Sequence, residues 1–319
     1  MEWASRSQQK LMEPIGQLRL PESAKSVLAT ITVGYRKEMP RETRRQFSVA
    51  GVAHILSVSG FHVAIVCNFI SFALSFLRQN RAGEWVHYAL TLLLLWAFTA
   101  ITGFAPSSIR AALMLSFYLS GRQLSRITDK YNTLFASAFC MLAYNPFYLF
   151  DIGFQLSYAA VASIQYFCPP LQALIKLRNP LVKEPWAWIT ISIAAQIGAT
   201  FLCLYYFGQF STVFLLTNFP LTLIATLLIP SALIWMLLPA GFPLCGILQR
   251  IIESLCQSLV WIVETFSRVP GAALNFCFDL PTTLLCYFAL FLFCYIRFKQ
   301  STKPSSKKQN HAGCDPVFD

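Results

Sequence analysis

Four residues able to do chemistry, His54, Ser57, Ser59 and His62, fall together with Gly60 within nine positions in the middle of an apolar stretch from Phe47 to Leu77. Side chains of these types can bind a metal, attack a carbonyl carbon or line a polar passage. A metal centre needs three or four ligands, and two histidines with no Cys, Asp or Glu beside them fall short. The 10 cysteines are spread singly, mostly in apolar stretches, and read as small apolar residues rather than ligands. A serine nucleophile needs a positioned base, which leaves a Ser59 and His62 hydrolase as a minor reading. In the third reading, a polar break in a membrane helix lines a passage, tolerated because it faces protein or water.

Two further places carry charge into apolar surroundings. Ala105-Pro106-Ser107-Ser108-Ile109-Arg110 reads as a helix start, with Pro and Ser suited to the first turn and its free N–H groups. A positive helix end plus a guanidinium makes an anion site for carboxylate or phosphate alike. Asp151 lies in another apolar stretch, where at 100° per residue Asp151, Gln155, Tyr158 and Gln165 fall on one face about 80° wide. Ser192, Gln196 and Thr200 share a face of the next long stretch, with Gln196 at its centre. Hydrogen bonding between helices is the plainer account of that stripe. Gln249, Arg250, Glu253, Gln257, Glu264 and Arg268 form a stronger strip, fitting either the interior of a bundle or a helix lying in the membrane interface.

The elements that must position these residues are apolar and long. Hydrophobic residues are 56% of the 319 and charged residues 12%, and the mean hydropathy is +0.54. A membrane helix needs roughly 20 mostly apolar residues, and such windows recur near 47–77, 85–102, 107–124, 131–143, 149–168, 186–207, 212–238, 245–266 and 281–298. The chain therefore reads as all-α, a polytopic transmembrane bundle of about nine spans. The first is broken at Ser59-Gly60 and the seventh at Asn218-Phe219-Pro220, where a continuous helix loses bonds. Residues 1–46 read as a polar N-terminal segment, 47–298 as the membrane domain and 299–319 as a basic tail.

The formal charge is +11, and its placement follows topology. Loops with Arg78 and Arg81, with Arg122, Arg126 and Lys130, and with Lys176, Arg178 and Lys183 alternate with loops lacking net positive charge. The positive-inside rule puts the basic loops and the tail in the cytoplasm. The N-terminus then lies outside, against the pull of the nine Lys and Arg in its first 46 residues. No Gly-rich phosphate loop followed by Lys occurs, and no cofactor is expected.

Taken in order, the motifs resemble the membrane domain of the ComEC family, the bacterial DNA-uptake channel proteins of natural transformation. Residues Ala50 to Val63 (AGVAHILSVSGFHV) look like the family's HLLAISGLHV signature. Gly103 to Ala111 resembles its G-x-x-PS-x-x-RA helix start. Asn145-Pro146 with Asp151 to Tyr158 is similar to its NP…GFQLSF segment, and Asn218-Phe219-Pro220 to its broken later helix. The resemblance implies an inner-membrane channel that passes single-stranded DNA inward. The path would be lined by His54, Ser57, Ser59, Gly60, His62, Ser107, Ser108, Arg110, Asp151, Gln155, Tyr158, Gln196 and Asn218, with Asp151 holding or gating Arg110. It also implies extracytoplasmic receptor and nuclease partners, a cytoplasmic DNA translocase and contact with membrane lipid, with homo-oligomerisation left open. The OB-like and nuclease-like domains of full-length members are not recognisable in the sequence, so no hydrolytic activity is expected. A secondary transporter of small organic anions is the chief rival, and a scaffolding subunit of the uptake apparatus is another.

Overall fold

The computed structural model describes residues 13–35, 39–126, 129–175, 179–239 and 242–301. Residues 1–12, the loop residues Lys176 and Arg178, and the basic tail beyond Ser301 lie outside them. The described chain is almost wholly helical. Helices α1 (Glu22–Val33) and α2 (Arg41–Val49) precede a short 3-10 turn at Ala53–Leu56. Then come α3 (Gly60–Ala73), α4 (Arg81–Ile101), α5 (Pro106–Gln123), α6 (Lys130–Tyr144) and α7 (Ile152–Ala173). The remainder is α8 (Pro180–Phe207), strand β1 (Gln209–Ser211), α9 (Phe214–Leu237), α10 (Cys245–Ser267), strand β2 (Ala273–Asn275) and α11 (Leu280–Ser301). Helices α4, α8, α9, α10 and α11 are long and apolar enough to cross a membrane, and this is a polytopic helical membrane protein.

Local chemistry sets the helix boundaries. Asn80 Oδ1 accepts from the Gly83 amide at 2.7 Å, Asp129 Oδ1 from Tyr131 at 2.7 Å and Asp151 Oδ1 from Phe154 at 2.7 Å, each satisfying an amide that the first turn leaves free. Pro106 opens α5 where a missing N–H costs nothing. Inside the helices, hydroxyls are satisfied by the carbonyl one turn back, as for Thr91 on His87 and Thr99 on Leu95.

Helices α7 and α8 form a tight antiparallel hairpin. A Cβ at Gly198 would collide with the Ala159 carbonyl and lie 2.6 Å from Ser163 Cβ, and Ser163 Oγ donates to the Ala194 carbonyl at 2.7 Å. Small residues let these backbones approach, the usual device where lipid gives no hydrophobic drive between helices. A second centre packs α3 and α9 against α1, α2 and α10, with Val27, Ile31, Phe47, Val63, Leu221, Leu228, Ile252 and Leu259 at 0% exposure.

Two elements differ from the sequence expectation. The stretch taken as a polar N-terminal segment contains α1, whose Ala24 and Ser26 to Val33 are all buried. Its Ser and Thr residues lower the apparent hydropathy, yet Thr30 and Thr32 return their hydroxyls to the Ser26 and Leu28 carbonyls at 2.7 Å, so burial leaves them satisfied. Helix α9 is not broken at Asn218-Phe219-Pro220 but runs through Pro220 and Pro230. Pro220 lies in the second turn, where the ring removes a single ladder bond, and the packing of α3 and α10 around the helix outweighs that loss. The break at Ser59-Gly60 is real, since α3 starts there.

Helix α10 settles how its strip is used. The inward side is Ile252, Cys256, Leu259 and Val263, all at 0% exposure, while Arg250, Ser254, Gln257, Ser258, Trp261, Thr265 and Arg268 are exposed. Of the polar strip, Arg250, Gln257 and Arg268 are exposed, whereas Gln249, Glu253 and Glu264 are half-buried and Glu253 Oε1 accepts from the Arg19 amide at 2.8 Å. An apolar core contact drives this orientation, and the polar side chains keep water or a polar partner.

Candidate functional site

Three helix starts converge on the short segment between α2 and α3. Ser107 Oγ, in the first turn of α5, donates to the Val58 carbonyl at 2.7 Å, with Ser108 Oγ 3.5 Å from the same oxygen. Behind this bond a Cβ on Gly60 would stand 3.5 Å from Ala111 Cβ, so the start of α3 lies flat against α5. From the other side, Thr217 Oγ1 in the first turn of α9 donates to the Ala50 carbonyl at 2.7 Å. Gly51 makes this contact feasible: its φ is +76°, and a Cβ there would lie 2.7 Å from Phe214 Cβ and Ser211 Cβ.

Within the segment, the Ser59 amide donates to His62 Nδ1 at 2.9 Å, and Ser59 Oγ lies 3.1 Å from the same nitrogen. This is a capping box in which His takes the role usually filled by Glu or Gln. Because Nδ1 accepts, the ring proton sits on Nε2, a fully buried atom without a hydrogen-bond partner. The Ser57 hydroxyl returns to the His54 carbonyl at 3.0 Å. His54 itself is exposed to solvent although protein surrounds it closely, and its side chain lies beside Asn218. That combination describes a crevice wall. Asn218 Nδ2 donates onward to Ser192 Oγ at 2.8 Å, and Gln196 lies one turn further along the same face of α8.

Arg110 stands behind this crevice on α5, 4% exposed, in no ion pair among the described residues, and with its Nη1 lacking a hydrogen-bond partner there. Asp151 does not hold it: that carboxylate caps α7 through Phe154, although both Asp151 and Tyr158 are close enough to act on the guanidinium electrostatically. Tyr158 Oη meets Ser137 Oγ at 3.0 Å. Gln155 is held at both ends, its Nε2 donating to the Leu149 carbonyl at 2.9 Å and its Oε1 accepting from Tyr206 Oη at 2.7 Å. The residues singled out in the sequence thus form two groups. His54, Ser57, Ser59, Gly60, His62, Ser107, Ser108 and Asn218 surround the crevice; Arg110, Asp151, Gln155 and Tyr158 lie between α5 and α7.

Sequence reasoning missed Thr217 and Gly51, which seat α9 against the segment. Glycine two residues before an Ala-His pair was the available signal. It also passed over His87, whose Nε2 lies 3.0 Å from the Ser71 carbonyl and does not serve Ser59. Among the described residues no group of three metal-binding side chains comes together.

The starts of α3, α5 and α9 meet the same short segment, and the buried Arg110 guanidinium lies on α5 close by. The protein is thus a polytopic helical membrane protein with a polar crevice among its helix starts. It belongs to the Competence protein family, whose model matches residues 31–300. It is 32% identical over 198 residues to ComE operon protein 3 of Bacillus subtilis (strain 168), a match covering 61% of this chain and 24% of that protein. The Uncharacterized protein YcaI of Escherichia coli (strain K12) is 25% identical over 240 residues, covering 69% of this chain and 30% of that protein. The chain thus spans less than a third of the length of the curated relatives it matches. No solved structure matches it.

Proposed function

We propose that this chain walls a passage for single-stranded DNA across the bacterial cytoplasmic membrane during natural transformation. Membership in the Competence protein family and similarity to ComE operon protein 3 support that reading. The observation that carries it is the convergence of the starts of α3, α5 and α9 on a solvent-reached crevice.

A polyanion crossing lipid needs its phosphate charge offset without being held fast, since each strong phosphate contact slows release. Helix ends suit this, each acting as roughly half an elementary charge. Arg110 supplies a full charge, and its buried Nη1 lacks a hydrogen-bond partner among the described residues, so a phosphate oxygen that reached it as the passage opens would complete its bonding. Ser57 to His62, Gln155 and Tyr158 line the path, and Asp151 keeps the start of α7 rigid beside Arg110. The Ser59 and His62 pair is assigned a structural role: the Nδ1 lone pair that a general base would use already accepts the Ser59 amide. We assign no hydrolysis to this chain. Strand degradation, DNA capture and pulling fall to extracytoplasmic receptor and nuclease proteins and to a cytoplasmic translocase.

Arg110→Ala in a naturally competent host tests the assignment. Transformation should fall by two or more orders of magnitude while membrane-extracted protein remains at its normal level. Unchanged transformation would remove Arg110 from the path. Saturable uptake of a small organic anion by the protein in liposomes, with no dependence on DNA, would replace the reading altogether.

A further inference from the structure

Helices α5, α6 and α7 pack against one another but leave a groove between them near the end where α5 stops and α6 begins. Its volume is about 180 Å³, below the roughly 300–1,000 Å³ of a pocket that encloses a whole small ligand. It therefore grips only part of a larger molecule. Met114 and Leu115 of α5 and Leu134 of α6 form its apolar wall, and Tyr118, Lys130 and Gln165 bring polar groups to it. Gln165 Nε2 donates to the Lys130 carbonyl at 3.2 Å, which ties α7 to the first residue of α6. Lys130 and Arg122 are both exposed and enter no ion pair among the described residues. Arg122 follows Tyr118 by four positions and so lies on the same face of α5, one turn nearer the helix end. Between Arg122 and Lys130 the sequence has one carboxylate, Asp129, whose Oδ1 is taken by the Tyr131 amide at 2.7 Å.

We propose that this groove is a binding site for a bilayer phospholipid with an anionic headgroup. The proposal does not depend on the DNA passage. Three observations choose the occupant. Tyr131, Phe135 and Phe139 recur every four residues on the adjoining face of α6 and are 40%, 66% and 74% exposed; an aromatic stripe of that kind is stable against acyl chains rather than water. An acyl chain lying along α6 turns from the stripe into the groove and covers Met114, Leu115 and Leu134, while the rest of the lipid stays in the bilayer as the small volume requires. At the mouth, Lys130 and Arg122 complement a phosphate. The Tyr118 side chain beside them is 48% exposed and forms no hydrogen bond among the described residues, which leaves its hydroxyl to donate to a headgroup oxygen. Finally, the segment from Arg122 to Lys130 is one of the basic loops that the positive-inside rule places in the cytoplasm. The charged end of the groove then lies at the leaflet surface, where basic pockets between helices bind anionic headgroups.

Native mass spectrometry of the full chain in mild detergent, with phosphatidylglycerol or phosphatidylcholine added at equal concentration, tests the assignment. Each basic residue near an anionic headgroup contributes about fivefold, so the natural protein should retain phosphatidylglycerol over phosphatidylcholine by about tenfold or more. Arg122→Ala with Lys130→Ala should remove that preference and leave phosphatidylcholine retention unchanged. Arg78→Ala with Arg81→Ala, in another basic loop, should change neither. All four side chains are exposed, so unaltered melting of these variants is expected. Met114→Trp fills the groove without altering charge and should lower retention of both lipids; should it melt early, the loop variants decide alone. Equal retention of the two lipids by the natural protein would overturn the proposal. So would equal loss in the two loop variants, which would leave only a general attraction of basic loops for anionic lipid. Natural retention in Met114→Trp at the natural melting temperature would show that the groove holds no chain, and would overturn it as well.

Discussion

Gly51→Ala should disrupt the site without touching any side chain proposed to meet DNA. Gly51 has φ +76° at the junction of α2 and the 3-10 turn, and its missing Cβ would stand 2.7 Å from Phe214 Cβ, 2.7 Å from Ser211 Cβ and 2.8 Å from Ser211 Oγ. A left-handed alanine costs about 1–2 kcal/mol, and forcing a methyl into a filled space costs about 1–3 kcal/mol more. The atoms that would give way are Cβ atoms fixed to backbone, so neither can swing aside, and the combined penalty is about 2–5 kcal/mol. For a chain of this size that lowers Tm by about 3–8 °C. Gly246→Ala in the first turn of α10 is the control: nothing lies within 4 Å of its Cβ position, and alanine there is neutral or stabilising by a few tenths of a kcal/mol. Melting of the two variants and the natural protein, purified in one detergent, decides the matter. Equal melting of Gly51→Ala and Gly246→Ala would refute the close seating of α9 on the α2 end, and with it the convergence of helix starts.

Other substitutions probe separate contacts. Thr217→Val removes the bond to the Ala50 carbonyl at 2.7 Å and leaves that acceptor buried, costing about 1–3 kcal/mol in melting experiments and lowering transformation through displacement of the α9 start. Gly198→Leu drives a side chain into the Ala159 carbonyl and Ser163, so the α7 and α8 hairpin should open and membrane-inserted protein should be lost. His62→Gln keeps an acceptor at the third position of α3 and should hold its melting temperature, whereas His62→Ala should lose about 1 kcal/mol. Equal loss in both would show that His62 does more than cap. Tyr158→Phe deletes the bond to Ser137 Oγ at 3.0 Å, and a membrane-buried hydroxyl pair of this kind is worth about 0.6 kcal/mol, readable as a small shift in melting.

Hydropathy and helix-start chemistry were legible from the chain because they depend on a few neighbouring residues. The apolar windows near 85–102, 186–207, 245–266 and 281–298 fall on α4, α8, α10 and α11, and the helix start read at Pro106 and the break read at Ser59-Gly60 are both present. Position within the bundle was not legible in the same way. The buried α1 hides behind Ser and Thr residues that satisfy themselves internally, and a hydropathy average cannot see a hydrogen bond. Asp151 and Arg110 suggested a pair by charge alone, but Asp151 is nearer to a free amide of its own helix and spends its acceptor there.

The Phe47 to Leu77 segment divides the two kinds of information. A polar break at Ser59-Gly60 was determined by the residues themselves, since Ser caps a helix and His three positions later can complete the cap. That this break meets the starts of α5 and α9 depends on Ser107 reaching Val58 and Thr217 reaching Ala50, contacts between residues 49 and 167 positions apart. Only the tertiary structure could decide that. Likewise the amphipathic pattern of α10 was plain in the sequence, but which side faced the bundle depended on the apolar surfaces of α1, α2 and α9. Burying Ile252, Cys256, Leu259 and Val263 against them gains more than burying the polar strip would.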